Sequence, residues 1–402
     1  MSKLKVLHLF DSYLPQTENW AYNLLSSLPD CEIHIGARTY LKNNFYPPQF
    51  HFTDNLFGAF DQIDLMLNKR NFSDLLKKLV IRSMPFLFGS LEETLISYGK
   101  REKIQLVHAH FADNAWYFKN IAQQLEVPFF VSFYGWDYEK LPHVKPEYVG
   151  HFKKLFKAAD QFICEGHHGA AILAAHGCPA EKITIVPLGI QPAQIDFISR
   201  SKLPNQLKLV QIASFTEKKG HAYAIEALAH IIKECPNIEL TFIGNDNELK
   251  RREKLEQQVI ALNLFNQVHF LPAIDYENLY STLGKYDVFI HPSCYAADRD
   301  CEGGAPVVLL DAQATGMPII STTHCDIPGE VIHQETGLLS PEKNVIELAK
   351  NIKAFYQMEG ELYNTFAKQA RDHVEKNYDV EQNSMELNRT YQSVIINSIL
   401  NT

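Results

Sequence analysis

Seven cysteines are all this 402-residue chain has, an odd number with no CxxC pair among them. They are scattered at positions 31, 164, 178, 235, 294, 301 and 325, which excludes a disulfide framework and points to free thiols in a reducing compartment. Long apolar runs are missing as well. No segment approaches the roughly 20 apolar residues that a membrane-spanning helix needs, and the short run in MSKLKVLHLFD stops at Asp11, too early for a signal peptide. Positive charge is in deficit: 38 Lys and Arg face 47 Asp and Glu, a formal net charge of -9, so no global basic field addresses nucleic acid. Any anionic ligand must be held by local groups. The expectation is a cytoplasmic protein that touches a membrane, if at all, at its inner face.

What is present is ordinary globular material, 46% hydrophobic and 21% charged, in a chain longer than one hydrophobic core usually supports. Short β-branched or aromatic runs alternate with amphipathic segments, the rhythm of parallel sheets covered by helices on both faces. The spacing predicts strands at 5–10, 31–36, 104–111, 128–135, 161–165 and 183–189, with helices from Glu18 and from Asp113, the latter as N-cap. QPAQIDFISRSKLPNQ (191–206) carries two prolines and little periodicity, so it reads as a linker. The rhythm then restarts with strands at 207–213, 238–244, 267–271, 287–292 and 318–322, and 343–400 reads as wholly helical. Two doubly wound units result: residues 1–190 and 207–375, followed by a helix at 376–402 that returns toward the first unit. Such an arrangement leaves a cleft at the carboxyl ends of both sheets.

CEGGAPVVLLDAQATGMP (301–318) carries the chemistry. Pro306 suits the first turn of a helix, since its missing N–H would be unpaired there anyway. Gly303 and Gly304 allow close backbone approach, and a helix start favours an anion. From Ala305 to Asp311 the helix rises about 9 Å, comparable to the span from a nucleotide's phosphate to its ribose. A buried carboxylate needs partners, and ribose hydroxyls would supply them to Asp311, with Glu302 reaching a sugar beyond the phosphates. The plain alternative is a core aspartate hydrogen-bonded by its own surroundings. In SFTEKKGHAY, Lys219, and after it Lys218, sits where a loop meets the cleft, as a cation that would stabilise a departing diphosphate; a solvated lysine pair is the alternative.

In order along the chain, EKKG, FIGND, IHPS, EGGAPVVLLDAQATGMPIIS and TGLL resemble the retaining glycosyltransferases of family 4, which have the GT-B fold. VLHLFDSYLPQTENWAYNLL, VHAHF and SFYGWD are similar to the branch that builds bacterial surface polysaccharides. The resemblance implies that Glu302, Gly303, Gly304 and Ala305 meet the donor sugar and diphosphate, with Gly244 of FIGND beside them, and that Asp311 takes the ribose role. Three departures stand out: Asp311 replaces a glutamate, Ser214 stands where many members have an arginine, and Tyr134 of SFYGWD replaces a histidine that faces the reacting phosphate. Tyrosine can donate a hydrogen bond but is no cation. PQTEN replaces a glycine pair, which puts Thr17 and Glu18 near the acceptor, with His110 assisting there or serving structurally.

Rival patterns carry less. DRD (298–300) resembles a metal-binding DxD, but its place in a loop before EGGAP favours a solvated loop. His291, Cys294, Cys301, His324 and Cys325 fit no common zinc spacing. Residues 68–88 form a basic amphipathic stretch that suits either an anionic membrane surface or an ordinary surface helix. The resulting expectation is a retaining, metal-independent transferase without a cofactor. It would move a hexose-type sugar from a nucleoside-diphosphate sugar to an oligosaccharide acceptor, expected to be lipid-linked, in polysaccharide or lipopolysaccharide synthesis. A nucleotide-sugar epimerase of the same fold and a non-catalytic nucleotide-sugar-binding subunit are the alternatives.

Overall fold

The computed structural model describes residues 3–14, 19–41, 50–53, 91–246, 248 and 250–400. Among these, two wholly parallel sheets follow one another along the chain. The first, of seven strands, has the order β3-β2-β1-β4-β5-β6-β7, built from β1 (Leu4–Tyr13), β2 (Cys31–Tyr40), β3 (His51–Phe52), β4 (Leu106–His110), β5 (Phe129–Phe133), β6 (Gln161–Cys164) and β7 (Ile183–Ile185). The second, of six, has the order β10-β9-β8-β11-β12-β13 and comprises β8 (Leu207–Ile212), β9 (Ile238–Ile243), β10 (Val268–Leu271), β11 (Val288–His291), β12 (Ile319–Thr322) and β13 (Gly337–Ser340). In both sheets the order reverses beside the first strand, at β1/β4 and at β8/β11. That reversal opens a crevice at the carboxyl ends of the strands.

The central strands are apolar on both faces because helices cover both. Residues 6–10 of β1 alternate between two cores: Leu7 and Leu9 pack with Val107, Val131 and Phe118, while Val6 and Phe10 pack on the other face with Ile35 and Phe130. The last helix, Val380–Leu400, completes that second core. Val380, Leu387 and Tyr391 are fully buried in it, and Val380 N donates to Ile190 O at 2.8 Å, so the chain crosses back from the second sheet to the first. Residues 191–206 are pinned rather than loose. The buried Arg200 guanidinium donates to Thr315 O and Thr315 Oγ1, both at 2.8 Å, and to Tyr286 O at 2.9 Å.

Several expectations need correction. The helix expected to start at Asp113 spans Ala112–Leu125, and Phe111, at φ 69, is its N-cap. Its first amide is capped from a distance, Ala112 N donating to Asp137 Oδ2 at 2.9 Å. Pro306 is likewise the N-cap, and the helix proper is Val307–Ala314. The strand expected at 183–189 ends at Ile185, because Pro187 has no N–H for a ladder. The stretch 343–400 divides into Val345–Gln357, Gly360–Asn377 and Val380–Leu400. Two strands were not anticipated, the two-residue β3 and the Gly-led β13. Residues 68–88 lie outside the described residues. No described helix is long and apolar enough to cross a membrane.

Candidate active site

Between the two sheets lies a cleft of about 1010 Å³, walled from the first by Trp20, Phe111, Tyr134 and Trp136 and from the second by Ser214, Lys219, Glu302 and Asp311. It sits at the carboxyl ends of the strands because the loops after β5, β6, β8 and β11 all end there. Two glycines bring the halves together. Gly135 (φ 91) and Gly303 (φ 81) approach so closely that a Cβ on Gly135 would lie 2.1 Å from Gly303 Cα. Any side chain at either position would push the walls apart.

Glu302 and Lys219 form the charged centre. Lys219 Nζ donates to Glu302 Oε2 at 2.6 Å, and Ser293 Oγ and His291 Nε2 meet Glu302 Oε1 at 2.8 and 3.3 Å. The Glu302 side chain is 4% exposed and that of Lys219 16%. Burial pushes the Glu302 carboxyl up, but Lys219, His291 and Lys218 outweigh it and hold the group well below the ordinary carboxylate range. Burial pulls the Lys219 ammonium down while Glu302 opposes it. The pair is therefore ionised and balanced within the protein. Neither expected lysine is solvated: Lys218 Nζ donates to Cys301 O at 2.9 Å and to Asp300 Oδ1 at 3.1 Å.

The amides before the helix are more engaged than a free anion cradle. Gly304 N donates to Glu165 Oε2 at 2.7 Å, and Glu302 N donates to His324 Nε2 at 3.2 Å. Burial raises the Glu165 carboxyl to about 8, with neighbouring carboxylates adding to the effect, so at neutral pH a largely protonated acid lines the cleft. Deeper in, Asp311 is 3% exposed and lies on the cleft wall. Tyr280 and Tyr276 donate to its Oδ1 at 2.9 and 3.1 Å. Burial raises this carboxyl to about 6 against those two hydrogen bonds. Asp311 is thus both a partly satisfied core residue and a cleft residue.

Ser214, Lys218, Gly244 and Ala305 all line the cleft. Gly244 is there without room for a side chain, since a Cβ would lie 1.9 Å from Ala213 O. Tyr134 is on the wall, its hydroxyl 2.6 Å from His110 Nδ1. His110 itself is fully buried and is not among the residues lining the cleft, which fits the structural one of its two readings: as the last residue of β4 it is stacked 4.2 Å from Phe10. Thr17 and Glu18 lie outside the described residues, although Asn19 and Trp20 just after them reach the cleft.

The DRD loop is not simply solvated. Lys140 from the first half pairs with Asp298 at 2.7 Å and Asp300 at 3.4 Å, while Arg299 pairs with Glu139 at 2.9 Å. Opposite charges on the DRD loop and at the start of the helix Lys140–Val144 thereby clasp the walls, and both carboxylates expected of a metal motif already face lysines. Around the expected cysteines, Cys294 and Cys301 are buried free thiols. Reasoning from the sequence missed Glu165, His291, Tyr276, Tyr280 and Trp136. A carboxylate directly after the strand in QFICEG and a histidine ending one in FIHPS were the available signals; for the two tyrosines there was none.

Comparison with known proteins agrees with this geometry. The family "Glycosyltransferase Family 4" matches residues 76–194 and the family "Glycosyl transferases group 1" matches residues 194–373. The chain is 31% identical over 230 residues to the amylovoran biosynthesis glycosyltransferase AmsK of Erwinia amylovora, covering 57% of this chain and 55% of that protein. It is 30% identical over 257 residues to the putative colanic acid biosynthesis glycosyltransferase WcaL of Escherichia coli, covering 64% and 60%. The match thus spans 55% and 60% of the length of those two relatives. In fold, the chain is similar to Anabaena HepE crystallised with UDP and glucose (TM-score 0.71, 16% identity, 97% of this chain and 100% of that one). It is also similar to WaaG, a glycosyltransferase involved in lipopolysaccharide biosynthesis (TM-score 0.64, 16% identity, 95% and 99%). The two parallel sheets facing one cleft are the GT-B fold.

Proposed function

From the premise that this chain belongs to the family 4 glycosyltransferases, whose two matching families together run over residues 76–373, we propose that it transfers a sugar from a nucleoside-diphosphate sugar to an oligosaccharide acceptor in surface-polysaccharide synthesis, with retention of configuration and without a resident metal. The observation that carries the reading is the Lys219–Glu302 pair at the mouth of the helix that bears Asp311. The diphosphate lies against Lys219 and Lys218, the ribose against Asp311, and the donor sugar between Glu302 and Tyr134. HepE, which shares the fold, forms a complex with UDP and glucose, ligands of the same chemical class. The aromatic wall of Trp20, Phe111 and Trp136 suits the apolar face of an acceptor sugar.

In the proposed step the bond between the sugar's anomeric carbon and the phosphate oxygen breaks, and a bond to the acceptor hydroxyl forms on the same face. The hydroxyl proton goes to the leaving phosphate. No side chain becomes bonded to the sugar. Negative charge grows on the departing diphosphate, so fixed lysines there lower the barrier more than they tighten the ground state. Asp298 and Asp300, the carboxylates that would hold a metal, are paired with Lys140 and Lys218, which supports a reaction without one.

The test is to incubate the protein with a panel of nucleotide sugars and lipid-linked oligosaccharides and follow the released nucleoside diphosphate and the anomeric configuration of the product by NMR. Transfer with retention, lost in Lys219→Ala, is the expected result. Epimerisation of the donor without acceptor, or tight donor binding with no turnover across the panel, would overturn it.

A further inference from the structure

Glu165 directly follows β6 and lines the cleft from the first sheet. Its carboxyl fits there because residue 304 has no side chain: a Cβ on Gly304 would lie 2.3 Å from Glu165 Oε2 and 2.6 Å from Glu165 Cβ. The groups that face it are acidic. They are Asp137 from the loop after β5, Glu302 from the loop after β11 and Asp326 from the loop after β12, with Tyr138 and Glu330 also within electrostatic reach. The cations of the cleft are taken up elsewhere, Lys219 by Glu302 and Lys218 by Asp300.

The two carboxyl oxygens of Glu165 differ in their surroundings. Oε2 accepts from Gly304 N at 2.7 Å. Oε1 makes no hydrogen bond with any described residue, and it is not sealed in: the buried side-chain atoms left without a partner include Asp326 Oδ2 and Glu330 Oε2 but not this one. It therefore opens onto the cleft that the residue lines. Burial first, and the neighbouring carboxylates with it, raise the group to about 8, so at neutral pH it carries a proton. A carboxylic acid accepts at its carbonyl oxygen and donates from the other. With Oε2 taken by Gly304 N–H, the proton sits on Oε1.

That O–H needs an acceptor on the ligand, and the surroundings say of which kind. A phosphate or a sugar carboxylate in this acidic corner would be repelled by the ionised Glu302 and would have no cation of its own. A neutral hydroxyl can accept from Oε1–H and brings no charge. Of the parts of a nucleoside-diphosphate sugar, the one that is neutral and rich in hydroxyls, and that reaches past the diphosphate to Glu302, is the sugar.

We propose that Glu165 is a specificity-determining residue: held by Gly304 N–H, it offers Oε1–H to a hydroxyl of the donor sugar from the wall opposite Glu302, and so selects a neutral sugar over a uronic acid. The inference rests on the proposed function for the identity of the ligand. It assigns a use to an acid that the transfer step does not otherwise employ. It also gives Gly304 a part of its own, since the amide expected on the donor instead fixes the side chain that meets the donor.

The experiment is calorimetric binding of UDP, GDP, UDP-glucose, UDP-galactose and GDP-mannose to the wild type, Glu165→Ala and Glu165→Gln. In the wild type one of the sugars should add affinity beyond that of its free diphosphate. In Glu165→Ala affinity for that sugar nucleotide should fall about tenfold while affinity for the diphosphate stays within about twofold. Glu165→Gln, whose amide oxygen can accept from Gly304 N–H and whose NH2 replaces the acid's O–H, should keep the sugar's increment. The wild-type increment should shrink as pH rises through about 8, where the proton of Glu165 is lost, and that of Glu165→Gln should not. Asp137, raised by burial to about 7, titrates in both proteins, so the difference between them belongs to Glu165. A carboxyl that served only to hold Gly304 would accept its N–H more firmly once ionised, and the increment would not shrink. UDP-glucuronate and GDP-mannuronate should bind no tighter than UDP and GDP. No sugar increment in the wild type, an undiminished one in folded Glu165→Ala, an alkaline loss shared by Glu165→Gln, or a uronate preferred to the neutral sugars would overturn the inference. Binding as expected without turnover on any acceptor would instead count against the transfer reaction and leave the sugar contact supported.

Discussion

Gly135 and Gly303, more than 160 residues apart in sequence, touch backbone to backbone where the two halves of the molecule meet, and both have positive φ. The contact joins the two walls beside Tyr134 and Glu302, the immediate chain neighbours of the two glycines, both of which line the cleft. Gly135→Ala and Gly303→Ala should therefore lose donor turnover more than tenfold, because the added methyl forces the walls apart as well as straining the backbone. Gly177→Ala is the control: Gly177 shares the positive φ (93) but has nothing within 4 Å of the new methyl. It should lose about 1–2 kcal/mol of stability and no activity, as denaturant unfolding and initial rates will show.

The Lys219–Glu302 pair should behave as a unit. Removing either partner leaves a buried charge unbalanced, at a cost of about 3–5 kcal/mol, so Glu302→Ala and Lys219→Ala should each lower both stability and turnover. Lys219→Met combined with Glu302→Gln removes both charges and should recover most of the stability while remaining inactive. Thermal unfolding and donor turnover measured on all four proteins test this. A double variant as unstable as the singles would mean that the pair is not coupled.

Asp311 makes a pH-dependent prediction. Its carboxyl is raised by burial to about 6 in the folded protein, against about 3.9 when unfolded. A raised value means that the group's contribution to stability is present below pH 4 and is lost as pH rises through 6, so the ionised form costs the ligand-free protein up to about 3 kcal/mol at neutral pH. Asp311→Asn is indifferent to pH at this site. Its melting temperature should gain on the wild type between pH 5 and pH 8, while its affinity for a nucleoside diphosphate falls about tenfold. A constant difference across that range would contradict the assignment.

Much of the fold was legible because parallel strands buried on both faces read as short apolar runs: KVLHLF, FFVSF and IELTFI stand out without any knowledge of partners. β13 was not, since GLLS offers four residues led by a glycine, and its place beside β12 depends on that glycine, because a Cβ there would lie 2.3 Å from Ile319 O. The N-cap at Asp113 failed for a related reason: the helix is capped by Asp137, 25 residues away. Within the cleft, Glu302, Lys219 and Asp311 were visible as chemistry in a motif. What lay beyond sequence reading was who neutralises whom. Glu302 takes up Lys219, Tyr276 and Tyr280 reach Asp311 from another loop, and Glu165 crosses from the first sheet to Gly304. The alternation of β4 likewise sends His108 and His110 into the core, which only the sheet register with β1 reveals.

The most direct test of the account is whether the cleft binds a nucleoside diphosphate through the residues named. Thermal unfolding of the wild type should be measured with UDP, GDP, ADP and dTDP, and with the best of these for Lys219→Ala and Asp311→Ala. At 100 times its dissociation constant the correct nucleotide adds about 2.7 kcal/mol of stability. The account predicts that gain in the wild type and its loss in both variants. No stabilisation by any nucleoside diphosphate, or an undiminished one in the two variants, would contradict it.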